Sequence, residues 1–257
     1  MSQTANRNRP HWSDFSFKKI FLLVFKFFGL KLFAGLLAAI AAVFLFGWLA
    51  EDVFEGETIK FDSIVRNAVH ESATPLLTET MKVFTFLGST VFLVGLFVVI
   101  AAALYYLKHK RALVLFAVTM VGEVILLTSL KLSFRRVRPE PFFDYVLPSS
   151  FSFPSGHSLS SFCFYGILAW LITARMENRN LKILVWTLAA ALVLLVGLSR
   201  VYLGVHYPSD VVAGYAAGFV WVVTVATGDF ILKRRVEKST ADNTAEVTRF
   251  DAETRTK

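Results

Sequence analysis

ALVLFAVTMVGEVILLTSLKL, residues Ala112–Leu132, runs straight into SFRRVRP, residues Ser133–Pro139. As a helix the first stretch is about 30 Å long, the thickness of a bilayer's hydrocarbon core. Its side chains are apolar apart from Glu123, Lys131 and a few hydroxyls. Such a run is at home in lipid and too long to be an ordinary core strand. The second stretch then places Arg135, Arg136 and Arg138 at the edge of that span, beside Lys131. A membrane helix that ends in a cluster of bases sets the fold and points to where chemistry can occur.

Five further apolar runs accompany it, at Phe21–Ala50, Gly88–Leu107, Ser158–Ala174, Lys182–Leu198 and Asp210–Leu232. The composition agrees: of 257 residues 55% are hydrophobic, 18% are charged, and 26 are Phe. A soluble fold cannot hide that much apolar surface. The reading is therefore an all-α polytopic membrane protein with six transmembrane helices. The first run is overlong and carries Lys26 and Lys31, so Phe17–Leu30 reads as an interfacial amphipathic helix leading into the span. No small-residue cleavage site follows that span, which is expected to stay uncleaved. Between the first two spans, Phe61, Ile64, Val65, Ala68 and Val69 recur at helical spacing, and Leu76, Leu77, Met81 and Phe84 resume after Pro75. These predict short amphipathic helices on the membrane. The domain division expected is an N-terminal segment over 1–19, a six-helix membrane domain over 20–235 and a disordered polar tail over 236–257.

Charge gives the orientation. Lys and Arg number 27 against 19 Asp and Glu, a formal net charge of +8. Arg7, Arg9, Lys18 and Lys19, the loops with Lys108, Lys110 and Arg111 and with Arg175, Arg179 and Lys182, and the flank Lys233–Arg235 all fall on one side of a six-span chain. The positive-inside rule makes that side the cytoplasm, with both termini there. It also accounts for the basic excess without nucleic acid as a partner. Lys131, Arg135, Arg136 and Arg138 break the rule by lying on the outer side, and an anion is the natural reason for bases there.

Two more clusters share that outer side. PSGH, Pro154–His157, puts a proline where it suits the first turn of a helix, followed by backbone N–H groups at a positive helix end. Gly156 admits an anion close to the backbone, Ser155 adds a hydroxyl donor, and His157 is placed to act as an acid. SRVYLGVHYPSD, Ser199–Asp210, sets His206 just ahead of a helix start marked by Pro208. Asp210, four residues on, can accept from one imidazole nitrogen and leave the other free to attack phosphorus. Lys131, Arg138 and Arg200 supply the positive charge that phosphoryl transfer needs. No carboxylate cluster suited to magnesium or zinc accompanies them, so the expected reaction needs no metal and no cofactor.

Together these residues resemble the signature of the type 2 phosphatidic acid phosphatase superfamily: Lys, six residues, Arg-Pro; then Pro-Ser-Gly-His; then Ser-Arg, five residues, His, three residues, Asp. Lys131, Arg138, Pro139, Pro154, Ser155, Gly156, His157, Ser199, Arg200, His206 and Asp210 fill every position. The resemblance implies that His206 becomes phosphohistidine with Asp210 orienting it, and that His157 protonates the leaving group. It also implies that Lys131, Arg138, Ser155, Gly156 and Arg200 hold the phosphoryl oxygens. A bacterial inner-membrane phosphatase acting on undecaprenyl diphosphate, phosphatidylglycerophosphate or phosphatidic acid is the expectation, with its site on the outer face. The superfamily also contains sugar phosphatases and vanadium haloperoxidases, so the motifs define an anion pocket and not a substrate. The competing functions are a phospholipid-binding or transport protein without chemistry, and a phosphotransferase with an acceptor other than water.

Other residues carry plainer expectations. Cys163, the single cysteine, is a small core or lipid-facing residue. His11, His70 and His109 are solvated, and Arg135 and Arg136 sit at the rim as headgroup or diphosphate contacts. Glu123, mid-way along its span, either serves a proton path or substrate gate or hydrogen-bonds to a neighbouring helix. Trp48, Tyr105, Tyr106 and Trp170 form an aromatic belt, and Gly214 and Gly218 mark close helix packing.

Overall fold

The computed structural model describes residues 17–143 and 149–255, which leaves His11, Arg7 and Arg9 outside the described residues. Those residues are helical and contain no strand: α1 (Phe17–Glu55), α2 (Thr58–Glu71), α3 (Pro75–Leu87), α4 (Thr90–Tyr106), α5 (Lys110–Phe134), α6 (Gly156–Thr173), α7 (Arg179–Tyr202) and α8 (Pro208–Arg255). Two compact units divide the chain, Met1–Ala38 and Ala39–Lys257. In the first, the helix is broken at Gly29, whose φ of 73° only glycine adopts readily. That break falls where the sequence predicts the change from interfacial helix to span.

The six predicted spans are not all recovered. Four helices are long and apolar enough to cross a bilayer: Leu32–Glu55 within α1, α5, α7 and Pro208–Thr240 within α8. The pair α3 and α4, bent by 47° at a short break, makes a fifth if counted as one span. The predicted fourth span, α6, falls short because its first turns are rich in serine. It does not need an apolar surface: it packs against α5, α7 and α8, and Ser158, Leu159, Ser161, Cys163, Phe164 and Ile167 are fully enclosed. Cys163 thus takes the core place, not the lipid-facing one.

Close packing of α6 on α8 is achieved with glycine. A Cβ at Gly214 would lie 2.7 Å from the Ser155 carbonyl oxygen and 2.8 Å from Ser158 Cβ. One at Gly218 would lie 3.0 Å from Phe162 Cβ. Both glycines therefore set the height of α6 against α8.

The two amphipathic helices exist but have a second partner. Thr74 caps α3, its hydroxyl accepting from the Leu77 N–H, with Pro75 at the first helical position. Val69, Leu77, Met81 and Phe84 pack on Tyr202, Leu203 and Val205 at the end of α7. Phe61, Ile64, Leu76 and Phe86 remain exposed. One apolar edge docks on the protein, and the other is left to the bilayer. Residues 236–255, part of the polar tail, continue α8 as helix, since a helix that already exists propagates without a new nucleation cost.

Candidate active site

Three chain segments meet at one end of α6, and each is aimed by a specific backbone device. α5 stops at Arg135, which takes the left-handed conformation (φ 48°, ψ 31°) and closes the helix with its N–H on the Lys131 carbonyl. The chain then turns inward, and the Arg136 carbonyl accepts from the Ser152 N–H at 2.8 Å. At the second segment, Ser155 is the N-cap of α6. Pro154 lies one residue before that cap instead of in the first turn. At the third, Gly204 turns the chain out of α7 with a φ of 74°, and a Cβ there would come 2.6 Å from the Phe142 nitrogen. His206 follows, and α8 begins at Pro208 as predicted.

His206 is 1% exposed and Asp210 is fully buried. Imidazole Nδ1 lies 3.1 Å from Asp210 Oδ2, and Nε2 lies 2.8 Å from Arg138 Nη1. A carboxylate can only accept and a guanidinium can only donate, so both neighbours select the tautomer with its proton on Nδ1. The same Asp210 oxygen accepts from Ser152 Oγ at 2.5 Å and from the Tyr207 N–H at 3.0 Å. Burial, reinforced by Arg138 and Arg200 and only partly offset by Asp210, pulls the His206 imidazole down to about 3. The ring is neutral at physiological pH, and its Nε2 lone pair accepts from Arg138.

Lys131, Arg138, Gly156, His157, Arg200 and His206 line one cavity of about 160 Å³, together with Ser150 and Ser160. Arg138 is tethered to the Ser150 carbonyl at 2.8 Å and the Val205 carbonyl at 3.0 Å. Lys131 donates to the Phe151 carbonyl, and Arg200 to the Thr85 hydroxyl. Burial and the nearby Arg200 charge hold Arg138 down at about 10, still cationic at neutral pH. Three cations converge on a space too small for a drug-sized ligand.

Of the eight predicted site residues, Lys131, Arg138, Gly156, His157, Arg200 and His206 line this cavity, Asp210 is the hydrogen-bond partner of His206, and the remaining one is Ser155. It is buried, its N–H donates to the Asp210 carbonyl at 2.9 Å, and its hydroxyl accepts from the Ser158 hydroxyl at 3.0 Å and the Ser158 N–H. It builds the start of α6 and ties it to α8, so the amides left for an anion are those that follow it.

Arg136 departs furthest from expectation. Instead of sitting at the rim against headgroups, its guanidinium is 10% exposed and bonds Asp210 Oδ1 at 2.6 Å and Asp62 Oδ2 at 2.8 Å. Asp62, a fully buried residue of α2, is absent from the predicted site. Its only sequence signal is an acid on the polar side of an amphipathic pattern. His70 also differs from expectation: its ring stacks on Phe142 at 3.9 Å. Glu123 accepts from Ser160 Oγ at 3.0 Å, a helix-to-helix bond of the expected kind, and Ser160 reaches the cavity.

Comparison with known proteins gives a consistent picture. The chain matches the PAP2 superfamily over residues 111–231. It is 34% identical over 178 residues to phosphatidylglycerophosphatase B of Bacillus subtilis (strain 168), covering 69% of this chain and 87% of that protein. An undecaprenyl-diphosphatase of Sulfolobus acidocaldarius is 30% identical over 125 residues, 47% of this chain and 56% of that one. The crystal structure of a transmembrane PAP2 type phosphatidylglycerolphosphate phosphatase from Bacillus subtilis superposes with a TM-score of 0.69 at 32% identity, covering 74% of this chain and 95% of that chain.

Proposed function

The chain belongs to the PAP2 superfamily, and on that premise we propose that it is an integral-membrane lipid phosphatase working through a phosphohistidine at His206. The observation that carries this reading is the neutral His206 Nε2 facing a small cavity lined by Lys131, Arg138 and Arg200. An in-line attack needs a nucleophile with its lone pair aimed at phosphorus and positive charge around the equatorial oxygens.

His206 Nε2 bonds to phosphorus while the Nδ1 proton stays on the imidazole, stabilised by Asp210. Burial and the neighbouring cations keep His157 neutral while the site is empty; the negative charge of the arriving phosphate lets it take up a proton from solvent, and the bond to the leaving oxygen breaks as His157 delivers that proton to it. Water then attacks the phosphohistidine and releases phosphate. Lys131, Arg138, Arg200 and the Gly156 backbone hold the oxygens, with the Ser155 hydroxyl fixing the start of α6 beside them. Charge neutralisation by three side chains makes the reaction metal-independent. The substrate class is a membrane lipid carrying a phosphate or diphosphate, such as phosphatidylglycerophosphate, undecaprenyl diphosphate or phosphatidic acid. The membrane helices and the names of the relatives support that class.

Counting the bent α3–α4 pair and the enclosed α6 gives six crossings. Both termini then lie in the cytoplasm, and the site is on the outer face of a bacterial inner membrane. The test is phosphate release by purified protein from a panel of these lipids, with and without a chelator. Activity should resist the chelator and fall to background in His206→Ala. Undiminished release by that variant would sink the mechanism.

A further inference from the structure

Within this catalytic reading, on which the inference rests, we propose that Asp62 and Arg136 form a positioning pair that keeps the Asp210 carboxylate charged and aimed at His206 Nδ1. Arg136 reaches two fully buried carboxylates with one guanidinium, Nη1 to Asp210 and Nη2 to Asp62. Nη1 also donates to Ser209 Oγ at 2.8 Å, Nη2 donates to Thr58 Oγ1 at 3.0 Å, and the guanidinium lies over the Tyr207 ring at 4.1 Å. Asp62 accepts from the Ser209 N–H at 2.9 Å and hydroxyl at 2.6 Å, so α2 grips the first turn of α8 beside the nucleophile.

The charge balance gives the pair its function. Two carboxylates share one guanidinium, and a buried acid stays ionised only while it is paired. Asp210 meets Arg136 from the loop after α5 and His206 and Tyr207 from the segment before α8, and Arg136 joins it to Asp62 of α2. Lys131 and Arg138 act on it from further away, Arg200 acts on His206, and Tyr207 and Glu140 lie near Arg66. Removal of the Arg136 charge leaves two buried acids that hold one proton between them. With that proton on Asp210, the carboxyl becomes a donor to Nδ1. The imidazole proton then moves to Nε2, where the attacking lone pair should be. The defect is thus worst in acid, eases as pH rises, and is relieved by discharging Asp62. A merely structural anchor would give a loss that is flat with pH and deepened by a second substitution.

The test measures kcat and KM for phosphate release from acid to alkaline pH in wild type, Arg136→Gln, Asp62→Asn and the double variant, with thermal unfolding of each in detergent. Arg136→Gln is expected to lower kcat about 100-fold at the acid end and about tenfold at the alkaline end, leaving KM within about threefold. Adding Asp62→Asn should recover about tenfold of the acid-side loss. A loss equal at every pH, or a double variant no faster than Arg136→Gln, overturns the pair while a dead His206→Ala leaves the phosphatase reading standing. A wild type that releases no phosphate overturns both. Should Arg136→Gln fail to accumulate, the double variant decides: turnover by it supports the pair, and its failure to fold overturns it.

Discussion

His206 takes its proton arrangement from two neighbours that agree, a carboxylate on Nδ1 and a guanidinium on Nε2. The agreement has a cost in acid. The unfolded chain protonates this histidine below its ordinary value of about 6.5, whereas the native ring resists until about 3. Its contribution to stability is therefore intact above about 6.5 and is lost progressively as pH falls toward 3. Thermal unfolding of wild type and His206→Asn across that window should show wild type losing ground as pH drops. A difference that stays constant with pH would refute the depressed imidazole. At this scale most of the site was legible, because His206, Asp210, His157 and the three cavity cations sit at motif spacings whose chemistry is local. Asp62 was not legible. It lies far from Asp210 along the chain, and nothing in an amphipathic pattern says that its polar side will fold back on another helix. Arg136 could have been singled out from Arg135, since alternate residues leaving a helix end face opposite ways.

At the scale of elements, the junction of α6 and α8 sets the first amides of α6 beside His206, the nucleophile of the proposed mechanism. Gly214 sets it, with the Ser155 carbonyl where its side chain would be. Gly214→Ala forces the helices apart by tenths of an ångström at the point where Gly156 and His157 begin. Overpacking of this kind costs about 1–3 kcal/mol, and kcat should fall by about tenfold as the amides shift. Unfolding in detergent and turnover of the one variant measure both, and an unchanged kcat would show that the glycine serves packing alone. The four-residue glycine spacing announced this contact in the sequence. Docking of α2 and α3 on α7 left no mark in the sequence, because an apolar stripe fits a bilayer and a protein groove equally well. α6 misled in the opposite sense: its serines are satisfied inside the bundle, so its sequence is less apolar than a lipid-facing span requires.

At the scale of the whole molecule, the proposed topology puts the catalytic cavity on the side opposite the Lys108–Arg111 turn. Cys163 is buried, which gives a quiet background for labelling. Ser149→Cys and Glu177→Cys occupy exposed positions in loops on the two proposed sides. An impermeant thiol reagent added to intact cells should modify the first and spare the second. The reverse pattern would invert the topology and move the site to the cytoplasm.

On the proposed mechanism Arg138 would also guard what it helps to activate. Its guanidinium rests on the lone pair that would attack, so the histidine would stay muzzled until something pulled the arginine aside. A dianionic terminal phosphate would do that better than the monoanionic diesters that make up the bulk of bilayer lipid. Admission and activation would then be one event, and a reactive site would stand open in a sea of phospholipid without consuming the membrane around it.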